Sequence, residues 1–258
     1  MKLAKNIYFL EKKELTEDKI EEIKINIKNG DAYIVKSFFT DIPLLHEIRQ
    51  YLTNIGNNSL PSYYPLEKGI LDHHRIVQDD QRSYIKSIVH QYMFHPWNQN
   101  IYDFYNLFKE VYHLKNLLSS MEKDKWLCNN DFSSFVPRIT FHHYPVGGGY
   151  LSHHSDPVSE HQLVVPILQM SNKGNDFKLG GLYAMGKNNK KVYIDDVCSI
   201  GDLFLFNAEV YHGVTAIDKE EKLDWLSDNG RWMLLCSTIK TNSNYSASDA
   251  INVGNING

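Results

Sequence analysis

The sequence predicts an α+β protein: a largely helical first half packed on a second half of short strands arranged as a sandwich or jelly roll. Three observations predict this. Up to about Lys125 apolar residues recur mainly at helical spacing, whereas beyond about Phe132 they alternate with period two. The second half also sets turn residues between short runs of strand-forming residues. Finally, 258 residues with 42% hydrophobic and 22% charged content suit one well-buried core. The expected organisation is a mainly helical region over residues 1–130 packing on the core, the strand-rich core over 131–240, and a loosely ordered tail over 241–258, rich in Asn, Ser and Gly.

In chain order, residues 16–28 read as a helix. Thr16 can cap it, Glu17 and Asp18 suit its positive end, Ile20, Ile23 and Ile27 recur at helical spacing, and Gly30 ends it. Residues 32–39 read as a strand, and 42–55 as a second helix opened by Asp41 and closed near Gly56. Residues 57–81, with Pro61, Pro65, Gly69, Tyr63, Tyr64, His73 and His74, read as an ordered irregular segment. Helical spacing returns over 79–92 and 100–121, the latter with an aromatic stripe through Phe104, Phe108 and Tyr112 that points to core packing. Strands are then expected over 137–144, 163–170, 181–185, 191–194, 202–206, 211–214 and 232–239, with a hairpin turn over 187–190.

Bulk properties exclude several classes of function. Net charge is −4 and no basic face is concentrated enough to neutralise a phosphate backbone, so nucleic acid is not an expected partner. The first fifteen residues lack the continuous apolar region of a signal peptide, and no run approaches the roughly 18 apolar residues of a membrane span. Cys128, Cys198 and Cys236 are an odd number at irregular spacing among apolar neighbours, which fits buried thiols in a reducing cytoplasm.

The chemistry is expected in the strand-rich part. His154-Ser155-Asp156 sets an imidazole and a carboxylate two positions apart, so both project from one face of an extended chain. The same alternation sends His153 to the opposite face. His212 lies 58 residues beyond His154, at the end of an apolar strand through Phe204 and Phe206. Two histidines and one carboxylate are the facial triad of oxygen-activating iron(II) sites, which leaves positions open for other ligands. A glycine-rich turn, Tyr144-Pro145-Val146-Gly147-Gly148-Gly149, delivers the chain to this motif, and Arg231 opens the last apolar strand.

With these elements in place, residues 138–240 resemble the Fe(II)/2-oxoglutarate-dependent oxygenase superfamily, most closely its prolyl-4-hydroxylase-like branch. The resemblance implies a double-stranded β-helix (jelly roll), with His154, Asp156 and His212 as catalytic iron ligands. It implies Fe(II) as cofactor, 2-oxoglutarate and O2 as co-substrates, and Arg231 as partner of the distal carboxylate of 2-oxoglutarate, a task that suits a planar guanidinium. It places Tyr144 in the co-substrate pocket. Should Arg231 be a surface residue, Arg138 is the next candidate for the carboxylate. The interval from His212 to Arg231 exceeds the family's usual one, as an inserted loop over 217–229 would explain, and Met233 leaves no Arg-x-Ser pair.

The implied reaction is hydroxylation of an unactivated C–H bond with release of succinate and CO2; related halogenases lack the carboxylate that Asp156 supplies, and desaturation or cyclisation would use the same ligands. A small-molecule substrate such as an amino acid is preferred to a peptide. The rival readings are a 2-oxoglutarate-independent metal enzyme and a jelly-roll binding module. Among the remaining polar residues, His142 and His143 fall on opposite faces of one strand, so at most one points inward. His161 is expected to face solvent, His73 and His74 to lie in a loop, and Asp195-Asp196 to form a solvated turn.

Overall fold

The computed structural model describes residues 2–59, 72–78, 80, 83, 85–98, 101–125, 127, 135–158, 162–240 and 251–252. Cys128, His161 and the proline- and tyrosine-bearing stretch 61–69 lie outside the described residues, as does the tail apart from Ile251 and Asn252.

Helix α1 (Glu17–Lys28) begins where the Thr16 hydroxyl accepts the Lys19 N–H, and it buries Ile23 and Ile27. It connects strand β1 (Ile7–Glu11) to its parallel neighbour β2 (Ala32–Lys36). Helix α2 (Ile42–Asn58) starts on the Asp41 carboxylate, which accepts the Leu44 N–H, and buries Leu45, Ile48 and Leu52. Its glycine, Gly56, is not a stop signal as the sequence suggests. The helix passes through it because a side chain there would collide with the layer beneath: a Cβ would lie 2.4 Å from both His90 Cε1 and Tyr92 Oη. Gly56→Ala should therefore destabilise the protein by about 1–3 kcal/mol through overpacking, outweighing the gain of about 1 kcal/mol that alanine brings to an open helix. Urea unfolding measures the sign directly.

The rest of the chain supplies β3 (Asp72–Ile76), β4 (Ser87–Phe94), α3 (Phe104–Leu107), α4 (Lys109–Leu118), β5 (Phe135–Pro145), β6 (Tyr150–Ser155), β7 (Val164–Gln169), β8 (Gly181–Met185), β9 (Lys191–Tyr193), β10 (Leu203–Asn207), β11 (His212–Thr215), β12 (Gly230–Lys240) and β13 (Ile251–Asn252). The strands lie in the order β1-β2-β10-β7-β12-β5-β4 on one side and β6-β11-β8-β9 on the other, with β3 on β4 and β13 on β6. Strand β4 joins the two sides: His90 to Phe94 pair with β5, and Ser87 and Ile88 pair with β6. The sheet thereby curls into the jelly-roll core expected from the sequence.

The helix expected over 79–92 is thus corrected: its later part lies in strand β4, Ser87–Phe94. The run Ser-Ile-Val-His-Gln-Tyr-Met-Phe is rich in β-branched and aromatic residues, and pairing on both edges outweighs an accidental helical periodicity. Likewise His73 and His74 lie in strand β3 rather than a loop, and the single helix expected over 100–121 is replaced by two, Phe104–Leu107 and Lys109–Leu118.

Two apolar layers result. Ile139, Phe141, Leu168, Leu203, Trp232 and Leu234 face the helices and pack against Ile23, Leu45, Phe104 and Phe108. Val89, Tyr144, Ile167, Phe204, Phe206, Leu182, Val214 and Met233 fill the space between the two sides. Period-two alternation therefore assigns Arg138, Thr140, His142 and Tyr144 of β5 to the interior.

Candidate active site

Strands β6 and β11 are adjacent and antiparallel, and their register sets His212 directly across from His154. Their ring centroids are 4.2 Å apart. Asp156 follows β6 and is fixed by its N–H, which donates to the Ala208 carbonyl at 2.9 Å. Its carboxylate then reaches both rings, 3.6 Å from His154 Nε2 and 3.4 Å from His212 Nε2. One donor atom from each of the three residues lies within 4.8 Å of the others, which is the separation ligands of one small cation require.

The other ring nitrogens explain why the Nε2 atoms converge. His154 Nδ1 lies 2.8 Å from the Ser152 carbonyl and His212 Nδ1 lies 2.9 Å from the Val210 carbonyl. A carbonyl can only accept, so each Nδ1 carries a hydrogen, and each Nε2 is the nitrogen turned towards Asp156. Burial, reinforced by His212, holds His154 well below the usual imidazole range. Burial also pushes the Asp156 carboxyl up, opposed by His212 and Arg138. A desolvated carboxylate facing two imidazole nitrogens is the kind of environment in which a metal ion would supply the compensating positive charge. Two nitrogens and one carboxylate oxygen suit iron(II), so the residues present fit the metal that the resemblance implies.

A second polar group lies deeper. Arg231 is fully buried. Its Nε donates to Asp195 Oδ2 at 2.7 Å, and its Nη2 donates to Asp195 Oδ1 at 3.1 Å and Gln169 Oε1 at 3.0 Å. Asp195 is held in turn by the Gln169 amide and by the Leu182 N–H, at 2.7 and 2.6 Å. Gly181 permits this approach, since a Cβ there would lie 2.5 Å from Asp195 Oδ2. The solvated turn expected at Asp195-Asp196 is therefore half wrong: Asp196 is exposed and pairs with Lys173, but Asp195 is buried beneath Arg231. Sequence reasoning missed Asp195 and Gln169 because their role depends on strands distant in the chain.

Arg231 Nη1 has no hydrogen-bond partner despite full burial. A buried guanidinium nitrogen without an acceptor is costly, so this edge is suited to an incoming carboxylate. The guanidinium carbon stands 5.7 Å from the centroid of the Tyr144 ring, and the two residues are paired in register between β12 and β5. The Tyr144 oxygen is 3.3 Å from His142 Nδ1, while the Gln91 amide nitrogen is 3.2 Å from His142 Nε2. That amide donates, so His142 carries its hydrogen on Nδ1 and donates it to the phenol oxygen. The phenol hydrogen is then not engaged by His142. Burial, with Arg138 and Arg231 adding, lowers the His142 pKa to about 3 and keeps the ring neutral.

Sequence reasoning thus brings together His154, Asp156 and His212, and separately Arg231 and Tyr144. Arg138 is not level with Arg231 and Tyr144: it pairs in register with Ser237, six positions along β5 from Tyr144. His143 faces the helical layer, stacked at 4.3 Å on Trp232 with Nε2 donating to the Asn229 carbonyl. His153 packs against Tyr183 and Tyr211 on the far face of β6.

No protein-family model matches the chain, and no curated protein matches it by sequence. Solved structures do resemble it. A prolyl-4-hydroxylase from Pseudomonas putida superposes with a TM-score of 0.51 at 13% identity, over 84% of this chain and 96% of that one. A full-length Neurospora crassa protein, solved with alpha-KG and thymine, superposes with a TM-score of 0.52 at 14% identity, over 96% and 94%. The chain has the fold of the 2-oxoglutarate oxygenases. A prolyl hydroxylase from Trichoplax adhaerens, solved with a peptide fragment of hypoxia inducible factor, has a TM-score of 0.50 at 14% identity, over 90% of this chain and 93% of that one. On this 2-oxoglutarate oxygenase fold the His-Asp-His cluster sits across β6 and β11, and Arg231 opens β12.

Proposed function

We propose that the protein is an iron(II)- and 2-oxoglutarate-dependent oxygenase that hydroxylates a C–H bond of a small molecule. The observation that carries this reading is the pairing of two incomplete polar sites in one barrel interior. One is a converging two-histidine, one-carboxylate donor set; the other is a buried guanidinium with one unpartnered nitrogen. His154, Asp156 and His212 would hold the iron, and Arg231 Nη1 would take the distal carboxylate of 2-oxoglutarate, with the Tyr144 phenol beside it. When bound, iron(II) and 2-oxoglutarate supply the oxidising chemistry that converts R–H, O2 and 2-oxoglutarate into R–OH, succinate and CO2.

The chain's own residues position and insulate that chemistry. The backbone carbonyls of Ser152 and Val210 fix the two imidazole tautomers, and the Ala208 carbonyl fixes Asp156. Asp195 and Gln169 lock the Arg231 fork, so the co-substrate meets an oriented group. Phe204, Phe206 and Val214 keep the surroundings apolar.

The test is spectroscopic. Adding iron(II) and then 2-oxoglutarate to anaerobic protein should produce the weak visible charge-transfer band of a 2-oxoglutarate chelate. Iron uptake without the band would favour a metal enzyme independent of 2-oxoglutarate, and no iron uptake would favour a binding module.

A further inference from the structure

Two of the three metal donors hang on one short turn. Strand β10 ends at Asn207 and β11 starts at His212, which leaves residues 208–211 to join them. The Ala208 carbonyl accepts the Asp156 N–H at 2.9 Å, and the Val210 carbonyl accepts the hydrogen of His212 Nδ1 at 2.9 Å. A shift of this turn therefore moves two ligands at once, whereas His154 is held separately by the Ser152 carbonyl.

A side chain fixes the middle of the turn. Asn207 is fully buried, and both ends of its amide are used. Its Oδ1 accepts the Glu209 N–H at 2.9 Å, the local bond by which an asparagine closes a turn two residues ahead. Its Nδ2 donates to the Ile27 carbonyl at 3.3 Å. That carbonyl is one of the last four of α1, which have no donor four residues on within the helix. Both partners are backbone groups with fixed roles, so the orientation of the amide is determined. A carboxylate could not donate to Ile27, and a serine hydroxyl is too short to span both partners. The rest of β10 is Leu203, Phe204, Leu205 and Phe206, so this amide interrupts an otherwise apolar strand.

The N-terminus supplies a further hold. The Tyr211 N–H donates to the Lys2 carbonyl at 3.2 Å, and Lys2 Nζ pairs with the Glu209 carboxylate at 2.8 Å. The ion pair is solvent-exposed, and such pairs contribute little.

We propose that Asn207 is a positioning residue of the metal site: by closing the turn through Glu209, its side-chain carbonyl sets the spacing of Asp156 and His212, and with it the affinity for the ion. The proposal rests on the reading of His154, Asp156 and His212 as metal ligands. Asn207 touches neither metal nor substrate and acts through the Ala208 and Val210 carbonyls.

The test uses the full chain and three readouts: manganese(II) affinity from the electron paramagnetic resonance signal of the free ion, the visible bands of bound cobalt(II), and the urea midpoint of the metal-free protein. Asn207→Leu keeps the volume and removes both bonds. It should weaken manganese binding about 10- to 100-fold, the range that supporting hydrogen bonds at metal sites command, and alter the cobalt bands. Asn207→Ser keeps an acceptor for the Glu209 N–H and loses the bond to Ile27. Its manganese affinity should stay within about threefold of wild type, although its urea midpoint falls at least as far as that of Asn207→Leu. Lys2→Met should bind manganese within about twofold of wild type.

Asn207→Leu binding manganese like the wild type, or equal losses in the leucine and serine variants, would overturn the proposal, because affinity would then not follow the turn. A loss in Lys2→Met matching that in Asn207→Leu would overturn it as well, by giving the role to the ion pair. Should Asn207→Leu fail to fold, hydrogen exchange in the metal-free wild type decides. The Glu209 amide should already be protected there, and exchange at the rate of an open chain would show that Asn207 does not hold the turn ready for the ion. Failure of the wild type to take up manganese would sink the metal-site reading itself, and that result is read before any variant is made.

Discussion

His154→Ala is expected to abolish iron binding and turnover while leaving the fold intact. The ring contributes one of three converging donors, and a site with two remaining ligands loses far more than the 10- to 100-fold in metal affinity that removal of a supporting hydrogen bond typically costs. The structural loss is small by comparison. The fold loses the hydrogen bond to the Ser152 carbonyl, worth about 1 kcal/mol net, and some ring packing against His212. Iron content after anaerobic titration, circular dichroism and urea unfolding separate the two effects. Turnover within tenfold of wild type would remove His154 from the metal site. Unfolding of the variant would show instead that the imidazole is a packing element.

Arg231→Met is expected to raise the 2-oxoglutarate requirement strongly and, in addition, to destabilise the protein. The carboxylate of Asp195 is buried and receives two of its hydrogen bonds from this guanidinium. Removing one member of a buried ion pair strands the other, at a cost of about 3–5 kcal/mol. A double variant, Arg231→Met with Asp195→Leu, removes both charges and should recover most of the stability without recovering co-substrate binding. Urea midpoints and 2-oxoglutarate titrations on Arg231→Met, Asp195→Leu and the double variant form a cycle that divides structural from binding roles. If the single variant loses no more than about 1 kcal/mol, Asp195 does not depend on Arg231, and the locked-fork account is wrong. If co-substrate affinity is unchanged, the distal carboxylate is anchored elsewhere.

Residues with local signals were legible in the sequence. Thr16 announces α1 because a cap acts on neighbours three positions away, and His154 with Asp156 announce a shared face because strand alternation is a two-residue property. His212 and Arg231 could be placed by the apolar strands beside them. What could not be read depends on partners far along the chain. Strand β4 looks helical by spacing alone, and only its pairing with both β5 and β6 decides otherwise. Asp195 has the composition of an exposed turn, and its burial follows from Gly181, Leu182 and Arg231 meeting it from two other strands. Gly56 reads as a helix stop because the rings of His90 and Tyr92 beneath it belong to a layer that the helix sequence cannot describe.

The placement of β2 also shapes how the chain reaches this state. Val35 pairs with Leu203, and Tyr33 with Leu205, so an early strand docks on one made much later. Contacts of such sequence separation make folding slow, because the entropy of closing the long loop must be met before pairing stabilises it. On the ribosome β2 keeps an apolar edge open until β10 has emerged. In that interval its Ala-Tyr-Ile-Val run is a site for wrong pairing, and chaperone occupancy during synthesis should be highest there.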